Sequence, residues 1–295
     1  MNANFAGSLR VSSNTVVVRG GGDVATGAIQ KLWRAGFNVL VLETAAPLTI
    51  RRLVALSSAV LEGRFSVEDM TAVRIASADE CAAQWALGYI PVLVDPLAGC
   101  LAQVRPFTVV DAIIAKRNLG THRNMAPVTI ALGPGFSAPQ DVDCVIETMR
   151  GHDLGRVITE GKALPNTGKP GEIGGKTSER VVHSPAAGRV RHIRSLGDKV
   201  EYGEPIFQID EVVVLSPLTG TLRGLIAEGF NVPKGLKCAD VDPRPADQVN
   251  CISISDKART IGGAVLEACL MMTRKKQIFP PCVHMTDVPP GFSQV

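Results

Sequence analysis

The chain has no lysine-rich run and no basic stripe with interleaved aromatics, and its net charge is only +3, so nucleic acid is not an expected partner. No stretch approaches the ~18 uninterrupted apolar residues that a membrane span requires. The opening residues, MNANFAGSLRVSSN, have neither a basic n-region nor an apolar h-region, which argues against a secretory signal. The seven cysteines (Cys81, Cys100, Cys144, Cys238, Cys251, Cys269, Cys282) are scattered, odd in number and never spaced C-x-x-C. That reads as reduced thiols in a cytoplasmic protein, with neither a zinc site nor a disulfide framework. P-loop, nucleophile-elbow and Ser–His–Asp signatures are missing. What remains is an ordinary folded composition, 45% hydrophobic and 20% charged. At 295 residues there is room for about two domains, each with its own core.

The densest signal lies in residues 15–43. The apolar run Val16-Val17-Val18 leads into Gly20-Gly21-Gly22-Asp23, a helix-like segment, and a second run, Val39-Leu40-Val41-Leu42, closed by Glu43. Written as Gly20-x-Gly22-x-x-Ala25, the turn fits a dinucleotide-binding fingerprint with the permitted alanine at the third position. Glycines let the backbone turn sharply and let a phosphate approach without a Cβ in the way. The following helix then aims unpaired N–H groups at the anion. Glu43 lies about 20 residues beyond the turn, where a ribose-binding acid is expected. The alternative is a tight βα turn that binds nothing, as many doubly wound sheets contain.

Strand-like and helix-like segments alternate onward. Thr49 is placed to cap a helix over residues 50–61, stopped by Gly63; residues 73–75 read as a strand and residues 78–87 as a helix. Further strands fall at residues 90–94, 107–110 and 128–132. Such alternation implies a parallel sheet covered on both faces, with ligands outside the carboxyl ends of the strands. Gly20 to Asp23, Glu43, Asp95, Asp111 and Gly133 would then gather at one edge.

A different pattern begins near residue 180. Ser184-Pro185-Ala186-Ala187-Gly188 recurs as Ser216-Pro217-Leu218-Thr219-Gly220, and the same offset carries Arg191 onto Arg223, Val200 onto Val232 and Asp210 onto Asp242. The paired copies, each of short strands between Gly or Pro turns, resemble the two halves of a biotinyl/lipoyl-type barrel-sandwich hybrid. In that family the hairpin between the halves presents a modified lysine. Here residues 209–215, Ile-Asp-Glu-Val-Val-Val-Leu, have none, so neither biotin nor lipoate is expected and the domain reads as a structural or docking module. The glycine- and proline-rich residues 161–175 between the two parts serve as either linker or lid. Near the end, Ser255 or Asp256 caps a helix over about residues 258–275, with Ile261, Val265, Ala268, Cys269 and Met272 on one face and Pro280-Pro281 beyond it.

Three further features bear on chemistry. Gly133-Pro134-Gly135-Phe136 is a second glycine turn at the same presumed edge, able to donate amides to an anion or simply to turn the chain. Residues 141–156 hold four acids (Asp141, Asp143, Glu147, Asp153) with Arg150, His152 and Arg156. There an arginine would clamp a phosphate and His152 or Glu147 would move a proton; the bland alternative is a solvated turn laced with weak ion pairs. One histidine among unspaced acids matches no zinc pattern, and Mg²⁺ on Asp141 and Asp143 has no support, so no metal is expected. Arg51 and Arg52 would meet a 2′-phosphate or another phosphate, or would simply decorate an exposed helix.

Across about residues 15–270 the chain resembles the YqeB-type accessory proteins of the selenium-dependent molybdenum hydroxylase system. The matching stretches are residues 18–27, Glu43 with Pro47 and Ile50-Arg51-Arg52, residues 133–136, residues 145–158, Gly235-Leu236-Lys237, and residues 240–244. The resemblance implies an α/β protein with a Rossmann-like nucleotide-binding domain over residues 1–160, a barrel-sandwich-hybrid domain over 176–246, and a C-terminal helix and tail over 247–295. It implies a maturation factor whose partners are a molybdenum hydroxylase or its maturation factors, and it leaves the reaction open. The expected phosphate-bearing ligand is a nucleotide, NAD(P) or molybdopterin-type. Its expected contacts are Gly20, Gly21, Gly22, Asp23, Glu43, Arg51, Arg52, Gly133, Gly135 and Arg150. Two competing readings are an NAD(P)-dependent oxidoreductase, weakened by the missing Tyr-x-x-x-Lys pair, and a non-catalytic docking adaptor.

Overall fold

Valine runs buried on both faces form the centre of a parallel sheet, because such strands have no polar face to turn toward water. The computed structural model describes residues 12–168 and 171–278; residues 1–11 of the opening segment, Lys169, Pro280, Pro281 and Cys282 lie outside the described residues. The strands of the first part are β1 (Ser12–Arg19), β2 (Asn38–Glu43), β3 (Arg64–Val67), β4 (Met70–Ile75), β5 (Ile90–Val94), β6 (Pro106–Asp111), β7 (Val128–Leu132), β8 (Ser137–Ala138), β9 (Cys144–Ile146) and β10 (Val157–Ile158). Nine of them form one sheet in the order β10-β9-β7-β6-β1-β2-β5-β4-β3, and only the two outermost pairings are antiparallel. Counted among themselves, the central strands β5, β2, β1, β6, β7 and β9 run 3-2-1-4-5-6. That is the order of dinucleotide-binding sheets, and its reversal point lies between β1 and β6. The expected α/β architecture is therefore present, with small antiparallel sheets and a C-terminal helix after it.

Two helices cross on one face of this sheet. Asp23–Arg34 follows the glycine turn and buries Ala25, Ala28, Ile29 and Leu32. The C-terminal helix, Asp256–Lys275, starts two residues earlier than its periodicity suggests, and the Ser255 hydroxyl accepts the Ala258 N–H at 3.2 Å as a cap. All five residues of its expected apolar face are buried. At the crossing, a Cβ on Gly27 would overlap the Ala258 carbonyl, and one on Gly262 would overlap the Gly27 carbonyl. Backbone meets backbone here, which places both helix N-termini on the same side of the molecule.

The helix expected over residues 50–61 does not form. Arg52–Val54 and Leu56–Ser58 are single 3-10 turns, Ala55 between them is extended, and only Ala59–Glu62 is α-helical before Gly63 stops it at φ +78°. The physical reason is competition for backbone groups. Leu225 N–H donates to the Ile50 carbonyl (2.8 Å), Ser57 N–H to the Gly21 carbonyl (2.8 Å) and Leu56 N–H to Thr26 Oγ1 (3.0 Å). These bonds tie the segment to the glycine turn on one side and to the repeat domain on the other. Strands β3, β9 and β10 have no counterpart in the sequence reading. Acids that look like a solvated cluster fix the end of β9: Asp141 accepts the Ser137 N–H and Asp143 accepts the Thr129 N–H.

The repeat builds two four-stranded antiparallel sheets. One contains Val181–His183, Lys237–Asp242, Gly220–Leu225 and Lys199–Val200; the other contains Val212–Leu215, Pro205–Ile209, Gly188–His192 and Asn231–Val232. Each sheet takes two strands from each copy, so neither copy completes a sheet alone. The core respects the repeat: Val182 with Val214, Val190 with Leu222, Val200 with Val232, Phe207 with Ala239 and Ile209 with Val241 are matched buried positions. The inter-repeat hairpin turns at Asp210, whose φ is +47°, and Glu211.

Gly27→Ala is expected to lower stability by about 1–3 kcal/mol, the range for overpacking. In an exposed helix the same change stabilises by about 1 kcal/mol, so the sign is diagnostic. Urea denaturation measures it; a midpoint at or above the parent's would show that the two helices separate freely.

Candidate functional site

The switch point opens into a cleft of about 1650 Å³ between the carboxyl ends of the sheet strands and the repeat domain. That exceeds the usual range for a small-molecule pocket, roughly 300–1,000 Å³, and suits an extended ligand. Gly20, Gly22, Asp23 and Glu43 line one side. Gly20 adopts φ +94°, and a Cβ there would press on the Ala112 and Ile113 backbone. Gly22 is the N-cap of the first helix, and no side chain caps that end. A Cβ on Gly22 would meet only Thr49 Oγ1, at 3.3 Å, so the space over the helix N-terminus belongs to the cleft. Glu43 Oε2 accepts the Gly21 N–H and Oε1 accepts the Thr44 N–H, both at 2.8 Å, which locks the acid against the turn. Asp23 pairs with Arg51 at 3.5 Å.

The opposite wall is made of charge. Asp240 takes Arg180 and Arg223, and Asp242 takes Arg223 and Arg244, giving a continuous chain of three guanidiniums and two carboxylates. Arg180 and both acids are buried. Lys237 and Lys257 also line the cleft, and neither side chain makes a hydrogen bond or ion pair among the described residues. Enclosure by the walls holds both lysines below the ordinary lysine value. Burial likewise lowers Arg51, with Asp23 opposing the shift.

Arg150 joins this cleft from the far side of the chain. Its Nη1 and Nη2 donate to the two carboxylate oxygens of Asp256 at 2.8 and 3.0 Å, across the first turn of the C-terminal helix. Glu147 also lines the cleft, but both of its oxygens are engaged, by the Met149 and Leu164 amides at 2.7 Å. Leu164, Asn166, Thr167, Gly171 and Glu172 are part of the lining.

Other expected site residues lie elsewhere. Arg52 does not line the cleft; its Nε donates to the Leu225 carbonyl at 2.8 Å and fastens the repeat domain. Gly21, Gly133 and Gly135 are packing positions, where a Cβ would press on Ser57, Ala163 and Arg117 respectively, and the Gly133 N–H is spent on the Ile146 carbonyl. His152 is exposed outside the cleft, and Arg156 pairs with Asp153 in the solvated turn that was the bland alternative. Asp95 accepts the Gly99 and Cys100 amides, and Asp111 is buried against Thr121. Sequence reasoning missed Arg180, Arg223, Lys237, Asp240 and Lys257. A signal for some of them existed in the repeat: the partner positions of Arg180, Lys237 and Asp240 are Val212, Pro205 and Gln208.

Hydrogen bonding to Arg150 holds the Asp256 carboxyl down at about 2. A depressed folded-state value contributes stability above the unfolded value of about 3.9 and loses it as pH falls toward 2. The contribution is small, since both side chains are substantially solvent-accessible. NMR titration of the Asp256 carboxyl is expected to give a midpoint near 2 in the parent protein. In Arg150→Ala the midpoint should rise toward about 3.9. Equal midpoints in the two proteins would mean that the pair does not form in solution.

No family model and no solved structure matches the chain. It is homologous to the uncharacterized protein YqeB of Escherichia coli (strain K12), with 50% identity over 257 residues, 87% of this chain and 47% of that protein. The chain therefore spans about half the length of the curated relative it matches, and homology to YqeB is what the sequence establishes.

Proposed function

We propose that this protein is a cytoplasmic maturation factor for selenium-dependent molybdenum hydroxylases that binds a nucleotide or molybdopterin-type phosphate ligand in the cleft. The observation that carries the ligand is the convergence of an uncapped helix N-terminus, its glycine turn and Arg150 on one large cleft. Helix N-termini favour anions through their free amides and dipole, and a guanidinium adds a directional, charge-assisted contact. The process rests on the sequence resemblance. No helix among the described residues is long and apolar enough to cross a membrane, which fits a factor that meets its partners in solution. A second reading, an NAD(P)-dependent oxidoreductase, is favoured by the 3-2-1-4-5-6 strand order and by Glu43 at the turn.

Mass spectrometry of ligand released from freshly purified protein separates the readings. A pterin or cytidine nucleotide supports maturation, NAD(H) supports the oxidoreductase, and an empty cleft supports a docking adaptor. Gly22→Val should abolish ligand-induced thermal stabilisation with the fold retained, since its Cβ meets only Thr49. Arg150→Ala should weaken ligand binding by on the order of 1.5–3 kcal/mol, the range for a hydrogen bond to a charged group. Normal binding by both variants, with normal hydroxylase activity in cells that carry them, would reject the site.

A further inference from the structure

The charged wall of the repeat domain is more than its fold requires, and the molecule contains its own control. The two copies share strands, core positions and an offset of 216 − 184 = 32 residues. Facing the cleft, one sheet carries Lys237 and Asp240 on a strand of the second copy, with Arg180 just before the first-copy strand that pairs with it. At the matched positions the other sheet carries Val212, Pro205 and Gln208, and its strands form all the same. Arg223 and Asp242 have charged counterparts in Arg191 and Asp210, so the charges peculiar to the cleft-facing sheet are those of Arg180, Lys237 and Asp240.

The cations there are incompletely paired. Arg51, Arg180, Arg223 and Lys237 lie close enough to influence one another, and the carboxylates paired with them are Asp23, Asp240 and Asp242, the last shared with Arg244. Arg180 is 5% exposed, and its Nε, like that of Arg51, is buried without a hydrogen-bond partner. The Lys237 ammonium has no partner among the described residues. Cations that outnumber their carboxylates in a partly desolvated space repel each other, and an anion seated among them relieves both costs.

We infer that Arg51, Arg180, Arg223 and Lys237 form a second anion subsite, which takes a phosphate or carboxylate group at the other end of the ligand that the glycine turn holds. The ligand is accordingly doubly anionic, with its negative groups separated across the cleft, and the repeat domain is half of the binding site. This rests on the cleft being a phosphate-ligand site, and the two subsites are separable by experiment.

Inorganic phosphate is the probe, because it is small enough to occupy one subsite alone. Calorimetry on the full chain should show phosphate binding that Lys237→Gln weakens about tenfold and Gly22→Val changes by less than twofold. Lys237→Gln should fold normally, since its side chain holds nothing in place. As an independent readout, amine acylation followed by peptide mass spectrometry should modify Lys237 readily, and phosphate should protect it where equal chloride does not. If Gly22→Val removes phosphate binding while Lys237→Gln retains it, the second subsite is refuted and the glycine-turn reading stands. Phosphate binding equal in all three proteins, or no protection of Lys237, also overturns the inference.

Discussion

There is no room for a methyl group between the two helices that cross at Gly27 and Gly262, and much of the cleft follows from that contact. Because the backbones touch, the C-terminal helix lies close over the first one, with its N-terminal turn beside the glycine turn. Asp256 and Lys257 thereby reach a cleft formed mainly by residues more than 80 positions earlier or by the repeat domain. Gly263, next along the helix, has open space around it, so the requirement for glycine follows the contact and not helix composition.

The cleft is assembled from distant segments, and long-range polar bonds hold them in register. Residues 50–58 are central to this. They give up a regular helix to bond the glycine turn through Ser57 and Leu56 and the repeat domain through Ile50 and Arg52. Neighbouring arginines in this segment meet opposite fates: Arg51 enters the cleft and Arg52 turns to the Leu225 carbonyl.

The interleaved strands of the repeat domain explain how one sequence pattern supports two different surfaces. Packing between matched positions, such as Val190 with Leu222 and Ile209 with Val241, fixes the architecture from inside. The outward positions are then free to differ, and they do: exposed Val212 in one copy occupies the position of buried Arg180 in the other. The hairpin carries no lysine, and it is the charged sheet of this domain that faces the cleft.

Local pattern alone determined a good deal of this protein. The glycine turn between two apolar strands, the strand alternation, the 32-residue repeat with its matched core and the apolar face of the C-terminal helix are all written in short-range periodicity, and all appear in the fold. The glycine turn, Glu43 and Arg150 line one cleft, whereas Asp95, Asp111 and Gly133, expected at the same edge, do not. Only the tertiary structure decided that residues 50–61 would not be a helix, since the groups that take their backbone bonds lie at Gly21, Thr26 and Leu225. It also decided that Arg150 would meet Asp256, 106 residues away, that His152 would face water, and that Arg180, Arg223 and Lys237 would stand opposite the glycine turn. A side chain's partner is set by which distant backbone passes beside it, and no periodicity within its own segment records that.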